Sequence, residues 1–486
     1  MNYQAQHGGD AFEVSKLTGL PLNEILDFSL NVNPYGPPKA AFKAMRAEMY
    51  KINYYPSRSY VELRRAIAAY LTSFNAYAQA APDQSGKAGI DENNIVVGCG
   101  GTELIHSFLA RFVRGGTVAI PLPTFSEYEA AASALNLRCV KVNPKGLRVD
   151  LDSIAMQLKT GDIKCAIICN PNNPTGELLN ADSLSKLLDL AEDRESYIML
   201  DEAYLDLSSF GLGESLLPKV EGHRNLIVLR SLTKLFGFPG LRVGYAVCNR
   251  ELAKAFESTA ISWRVGVLEE RAATAALGVK DYVESSRKRI NREKSLLVRE
   301  IGRINYLKVE KSNANFLLVG VSATGISPAN LKWRLLSHGV LVRELSGMPG
   351  LDSDYIRICV RGRKENGILV KALRNILSSV PKIGNFSEEP KCECRPCHFK
   401  DQDCRICFCP FYPCLDGITG GKFVDSETGG KVWSCNDCHW IHEAENAARV
   451  IGELERSGVN ILSSDPAEIL GVRKRCLLNL SEARLI

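Results

Sequence analysis

An α/β fold built on a mostly parallel sheet is predicted by two features of the sequence. Between about residues 95 and 250, short β-rich runs alternate with helical patterns: NIVVG, TVAIP, KCAIICNP, YIMLDEA, NLIVLRS and RVGYAVC read as strands. Between the first two lies TELIHSFLARFV, whose apolar residues at 104, 105, 108, 109, 112 and 113 follow helical spacing. Such alternation is the pattern of a mostly parallel sheet with helices packed on it. In sheets of this kind ligand groups come from the loops at the carboxyl ends of the strands, and this sequence places its least ordinary residues there.

At 486 residues the chain exceeds the size at which one hydrophobic core keeps growing, so two or three domains are expected. An N-terminal arm (1–35) precedes a large domain (36–265), in which residues 75–94 read as a polar surface insertion. A long charged amphipathic helix over 270–303 and the runs NANFLLVGV, LVREL and YIRICVRG then predict a smaller α/β domain, 266–380. An exposed linker (381–391) leads into a Cys-rich segment (392–445) and a helical tail (446–486).

Charged residues make up 24% of the chain and the formal net charge is +5, too small an excess at this length to suggest nucleic acid or an anionic membrane. No charged-then-apolar leader opens the chain and no apolar run approaches about twenty residues, so a cytoplasmic protein without membrane spans is expected. Of sixteen cysteines, six are scattered before residue 380 as small hydrophobes.

GCGGTE (98–103) follows a strand and opens a helix, so that the backbone donors of Gly100, Gly101 and Thr102 can meet a phosphate. NPNNPTG (170–176) leaves another strand in a rigid turn presenting the Asn173 amide, and DEAY (201–204) ends the next with a carboxylate. RSLTKLFGFPGLRVGY (230–245) sets Lys234 after two hydroxyl residues and Arg242 eight positions later. Singly, each is an ordinary turn.

Together, in this order and spacing, these motifs resemble the pyridoxal-phosphate aminotransferase superfamily of the aspartate aminotransferase fold, across about residues 1–380. The resemblance implies pyridoxal 5'-phosphate held on Lys234 as a Schiff base, with Asp201 on the ring nitrogen and Asn173 and Tyr204 on the phenolic oxygen. Ser231, Arg242 and the 100–102 backbone would hold its phosphate, Thr233 would belong to the same cofactor site, and Phe125 would stack on the ring. Tyr55 resembles the tyrosine that reaches the cofactor phosphate of a neighbouring subunit, implying a homodimer. The chemistry suits these residue types: a carboxylate keeps the ring protonated as an electron sink, lysine alone can exchange imines, and a guanidinium fork matches phosphate.

HGGD (7–10), DFSLNVNPYG (27–36) and LVRELSGMPGLDSDYIRICVR (341–361) further resemble the L-threonine-O-3-phosphate decarboxylases of cobamide synthesis, relatives of histidinol-phosphate aminotransferase. That likeness implies a small phosphorylated amino acid as substrate. His7, Gly8, Asn31 and Arg343 would lie near its phosphate, and Arg357 and Asn173 would take its carboxylate. A histidinol-phosphate-type aminotransferase and, in another class, a metal-dependent regulatory protein are the alternatives.

Nine cysteines crowd into 392–438: Cys392, Cys394, Cys397, Cys404, Cys407, Cys409, Cys414, Cys435 and Cys438, with His398, His439 and His442 nearby. C-x-x-C pairs at 394/397, 404/407 and 435/438 suit metal ligation, by zinc or as an iron–sulfur cluster, with His439 a further candidate ligand. So few large apolar residues predict a piece that depends on metal to fold. The T-G-G-K repeat in ITGGKFVDSETGGKVWS reads as a hairpin. It is not a phosphate-binding P-loop, because Asp416 stands where the first glycine belongs and Phe423 follows the lysine. A threonine kinase activity of the extension is the remotest reading.

Overall fold

The computed structural model describes residues 8–73, 89–352, 354–383, 386, 398–400, 402–426 and 429–483. At its centre is a seven-stranded sheet: β1 (Ile95–Gly98), β2 (Thr117–Pro121), β3 (Arg138–Val142), β4 (Ile163–Cys169), β5 (Tyr197–Asp201), β6 (Leu226–Ser231) and β7 (Gly244–Val247). Their spatial order is β1-β7-β6-β5-β4-β2-β3, and only β7 runs against its neighbours. The predicted mostly parallel sheet is present, with each anticipated run a strand. The strand β3 was not anticipated: it is a half-exposed edge in which Arg138 and Lys141 interrupt the apolar pattern.

Two apolar clusters line the two faces of this sheet. Ile95, Val97, Ala166, Ile168, Leu200 and Val228 belong to one, and the alternating residues Val96, Ile167, Met199 and Ile227 to the other. Period-two alternation with both faces covered explains why these strands read as unbroken apolar runs.

The second sheet holds β8 (Lys308–Val309), β9 (Phe316–Gly320), β10 (Arg343–Glu344) and β11 (Tyr355–Cys359), all antiparallel, in the order β10-β11-β9-β8. The long helix expected over 270–303 is instead two, Val267–Leu277 and Tyr282–Ile301. They are divided at Gly278–Asp281, where Asp281 takes φ 62, a left-handed conformation that a continuous helix does not contain. The arm is tied in by a parallel pairing of Leu26–Asp27 with Val340–Leu341.

Beyond residue 400, β12 (Lys422–Asp425) and β13 (Lys431–Ser434) form the expected hairpin. The division expected at 445/446 is not followed by the packing. Helices Ala444–Ser457 and Pro466–Ala483 contribute Val450, Leu454, Ile469 and Val472 to one core with Ile406, Phe411 and Ile441. The helices thus supply the apolar residues that the Cys-rich stretch lacks. Ile383, in the expected exposed linker, is buried in the same core. The rest of the linker and most of the 75–94 insertion lie outside the described residues. No described helix is long and apolar enough to cross a membrane.

One buried ionic network holds the working ends of β5 and β6 together. Arg230, 1% exposed, donates to Glu202 at 2.7 Å and Asp206 at 2.8 Å, while Tyr70 donates to Asp206 and Ser215 to Glu202. Glu202 adjoins Asp201, and Arg230 adjoins Ser231. Arg230→Leu would leave two carboxylates buried without a counter-charge, a loss of about 3–5 kcal/mol. A lower unfolding midpoint in denaturant is the expected result; an unchanged midpoint would contradict this account.

Candidate functional site

Strand β6 ends at Ser231 and turns directly into a single helical turn, Leu232–Leu235, which carries Lys234. The turn is held from the arm. Asn33 donates its N–H to the Lys234 carbonyl (2.9 Å) and its side-chain amide to the Leu235 carbonyl (3.0 Å). Gly237 takes φ 62 against the Asn33 carbonyl, where a Cβ would approach to 2.5 Å. Thr233 spends its N–H and its hydroxyl on the Val243 carbonyl, both at 3.3 Å, and so supports the turn. Burial first, then the positive charges of Arg357 and Arg242, bring the Lys234 amine down to about 8. A neutral, nucleophilic fraction therefore exists near neutral pH.

Asp201, at the end of β5, accepts from the Tyr128 hydroxyl at 2.7 Å and from the Ala203 N–H at 3.0 Å. Burial raises its pKa, against the lowering by those two hydrogen bonds and by Lys234. Asn172 binds the Pro123 carbonyl (2.9 Å), which joins the NPNNPTG turn to the loop of Phe125. Its neighbour Asn173 lies 3.5 Å from the Tyr204 hydroxyl as a donor. Burial pushes the Tyr204 hydroxyl up, the Arg357 charge opposing it.

At the other end of the cleft the helix Gly100–Phe112 begins, with Gly100 at φ 78. A Cβ on Gly100 would meet the Arg242 guanidinium at 2.8 Å, and one on Gly244 would meet the Gly100 and Gly101 backbone at 2.9–3.0 Å. Strand, loop and arginine therefore pack without room for side chains, leaving the N–H groups of a helix start beside a guanidinium. This donor set fits a phosphate. Gly101, Thr102, Ser231, Arg242 and Lys234 line one cleft with Phe125, Tyr128, Asp201 and Tyr204.

On the facing wall, Arg357 donates to the Asn173 side-chain oxygen (2.5 Å) and to the Ser29 carbonyl (2.7 Å). Its Nε has no hydrogen-bond partner among the described residues. Arg343 is its register partner across β10 and β11, so the two guanidinium groups leave the same face of the sheet. Burial brings Arg357 down to about 10; Tyr204 opposes this and Arg343 adds to it. Gly8 presses on Ser29, where a Cβ would lie 2.4 Å from the carbonyl oxygen, and the Gly9 N–H binds the Ser29 hydroxyl at 2.9 Å. Asn31 is 2% exposed, and neither of its amide atoms makes a hydrogen bond of good geometry among the described residues. It lies beside the Tyr204 hydroxyl.

The structure thus gathers the anticipated residues of the large sheet around one cleft and sets Asn31, Arg343 and Arg357 with Gly8 on its arm side. His7 lies outside the described residues. Tyr55 is away from the cleft, 79% exposed and stacked on Trp263 at 4.5 Å. Sequence reasoning missed Tyr128 and Asn33. Tyr128 stands three residues after Phe125 and Asn33 within DFSLNVNPYG, but their hydrogen bonds to Asp201 and to the Lys234 turn are long-range and leave no local pattern.

In the Cys-rich segment, Cys392, Cys394 and Cys397 lie outside the described residues. Both remaining C-x-x-C pairs close a turn, Cys407 N–H to the Cys404 carbonyl (3.1 Å) and Cys438 N–H to the Cys435 carbonyl (2.9 Å). Burial, then the neighbouring Cys414 and Cys438, push Cys435 up to about 12. His398 stacks on His442 at 4.4 Å and lies 6.0 Å from His439. Among the described residues no three His, Cys, Asp or Glu side chains converge as a ready metal site.

A family model described as aminotransferase class I and II matches residues 23–373, and one described as a cysteine-rich small domain matches 384–464. Histidinol-phosphate aminotransferase 2 of Archaeoglobus fulgidus is 35% identical over 357 residues, covering 73% of this chain and 94% of the relative. Threonine-phosphate decarboxylase of Salmonella typhimurium is 29% identical over 383 residues, covering 78% and 98%. The solved L-threonine-O-3-phosphate decarboxylase of Porphyromonas gingivalis aligns with TM-score 0.60 and 25% identity, over 73% of this chain and 100% of that one.

The lowered basicity of Lys234 has a direct readout. In the cofactor-free chain its acylation, followed by mass spectrometry, is expected to have a midpoint near pH 8. Arg357→Met removes a positive neighbour, favours the ammonium form and moves that midpoint up; an ordinary lysine profile in the parent would contradict the burial described.

Proposed function

The chain belongs to the class I and II aminotransferase family, for which pyridoxal 5'-phosphate is the expected cofactor, and from that premise we propose that it decarboxylates L-threonine O-3-phosphate. The product is (R)-1-amino-2-propanol O-2-phosphate, for the nucleotide loop of a cobamide. The observation that carries this reading is the Arg343–Arg357 pair. Two guanidinium groups at facing register positions, with Arg357 near enough for its charge to lower the Lys234 amine, suit a substrate with two anionic ends.

Pyridoxal phosphate, when bound, supplies an aldehyde that condenses with amines and a protonated ring that accepts the electron pair left at the substrate's α-carbon. Asp201, steadied by Tyr128 and Ala203, would hold the ring nitrogen, Asn173 and Tyr204 the phenolic oxygen, and Phe125 a ring face. Gly100, Gly101, Thr102, Ser231 and Arg242 would hold the phosphate. Arg357, oriented by Asn173 and Ser29, takes the substrate carboxylate; Arg343, with Gly8, Asn31 and His7, takes its phosphate. The two grips decide which bond at the α-carbon stands perpendicular to the ring, and so which one breaks. Holding the carboxylate in that position would favour loss of carbon dioxide, and Lys234 in its ammonium form, protonated from solvent, would supply the proton that takes the carboxylate's place at the α-carbon.

A histidinol-phosphate-type aminotransferase is the second reading, favoured by the 35% identity to the Archaeoglobus relative. A homodimer is proposed with either reading. Met49, Tyr50, Ile52, Tyr54 and Tyr55 form a run of exposed apolar side chains, and a second copy would cover them and receive Tyr55 at its cleft. For the Cys-rich segment we propose a bound metal ion, on the ground of its thiol count and paired turns.

Carbon dioxide release from phosphothreonine should exceed amino transfer from histidinol phosphate to 2-oxoglutarate; predominant transfer overturns the first reading in favour of the second. Lys234→Ala should lose turnover, and Arg343→Ala should raise KM for phosphothreonine by about 10- to 100-fold, the worth of a lost charge-assisted hydrogen bond. Elemental analysis should find zinc or iron in the purified chain, diminished in Cys435→Ser; a metal-free parent would reject the metal reading.

A further inference from the structure

The Cys-rich unit makes its main contacts with the arm side of the cleft. Trp433, on β13 and 5% exposed, packs in a cluster with Val14 of the arm helix Ala11–Thr18, Leu20, Ile25, Leu336 and Leu341. Its backbone N–H donates to the Ser337 carbonyl at 2.6 Å. From the opposite side Trp333 donates its Nε1–H to the Pro413 carbonyl (2.8 Å), and Arg334 binds the Tyr412 carbonyl (3.2 Å). One cluster therefore joins the arm, the helix Pro328–Leu336, the strand Val340–Leu341 and the Cys-rich unit.

Each of the catalytic segments in that cluster runs within a few residues into the wall facing Lys234. The arm helix follows Gly8 and Gly9, which rest on Ser29. Leu26–Asp27, paired with Val340–Leu341, continues to Ser29 and Asn31, and Val340–Leu341 continues to Arg343. By contrast, neither cluster around the large sheet includes a residue beyond Leu377. Among the described residues, the sheet that carries Gly100, Asp201, Lys234 and Arg242 is packed without the Cys-rich unit.

We propose that the Cys-rich unit is a positioning element for the substrate wall, with Trp433 the residue that holds the arm and the Arg343 strand in place over the cleft. The assignment of that wall to substrate rests on the reading above. The unit thereby sets substrate affinity and leaves the cofactor side unchanged.

The test uses full-length holoenzyme. Trp433→Ala is expected to raise KM for L-threonine O-3-phosphate roughly tenfold, with kcat and the visible absorbance and affinity of the cofactor unchanged, because a displaced anchor costs orientation. Trp433→Phe should restore most of the loss. Trp333→Phe keeps an aromatic ring, though a smaller one, removes the bond to Pro413 and is expected to give a smaller rise, about threefold. Hydrogen exchange of residues 8–20 and 337–343 should quicken in Trp433→Ala, whatever the substrate proves to be. Unchanged exchange and KM, or a fall in kcat and in cofactor affinity accompanying the rise in KM, overturns the proposal. A parent inert toward phosphothreonine that still shows the exchange effect overturns only the substrate reading.

Discussion

The guanidinium of Arg357 is the interaction on which the site depends. It lies in a strand of the smaller sheet, donates to Asn173 from a turn of the large sheet and donates to the Ser29 carbonyl of the arm. Three stretches far apart in sequence meet at one buried cation. Removing a charge from water is costly, and hydrogen bonds to an amide oxygen and a carbonyl offset only part of that cost. The field of this guanidinium also helps keep the nearby lysine amine neutral.

The two walls of the cleft are built differently. The wall with Lys234, Asp201 and the Gly100 helix start hangs from strands whose both faces are packed, and the Arg230 network locks two strand ends together. Such a frame holds donors and acceptors in fixed positions. The opposite wall comes from an arm, two short paired strands and a loop, and its packing is completed by Trp433 and Leu415 from the C-terminal unit.

Much of this was legible residue by residue. The seven-stranded sheet was readable wherever apolar runs were long and bounded by turns, and unreadable at Arg138–Val142, where an edge strand carries charges to solvent. The helical period continued across Gly278–Asp281 because periodicity reports which face is apolar and is blind to a local left-handed residue. Lys234, Asp201, Asn173 and Arg242 stood out through turn chemistry. Tyr128 and Asn33 did not, because their partners, Asp201 and the Lys234 turn, are distant in sequence.

By itself the sequence determined the sheet, the strand-end placement of the reactive groups and the existence of a separate Cys-rich segment, all consequences of local periodicity, turn residues and composition. Only the tertiary structure decided that Arg343 and Arg357 stand opposite one another, that the C-terminal helices complete the Cys-rich core and that this unit braces the arm. Those facts depend on register and on contacts between remote segments. Neither leaves a periodic trace along the chain.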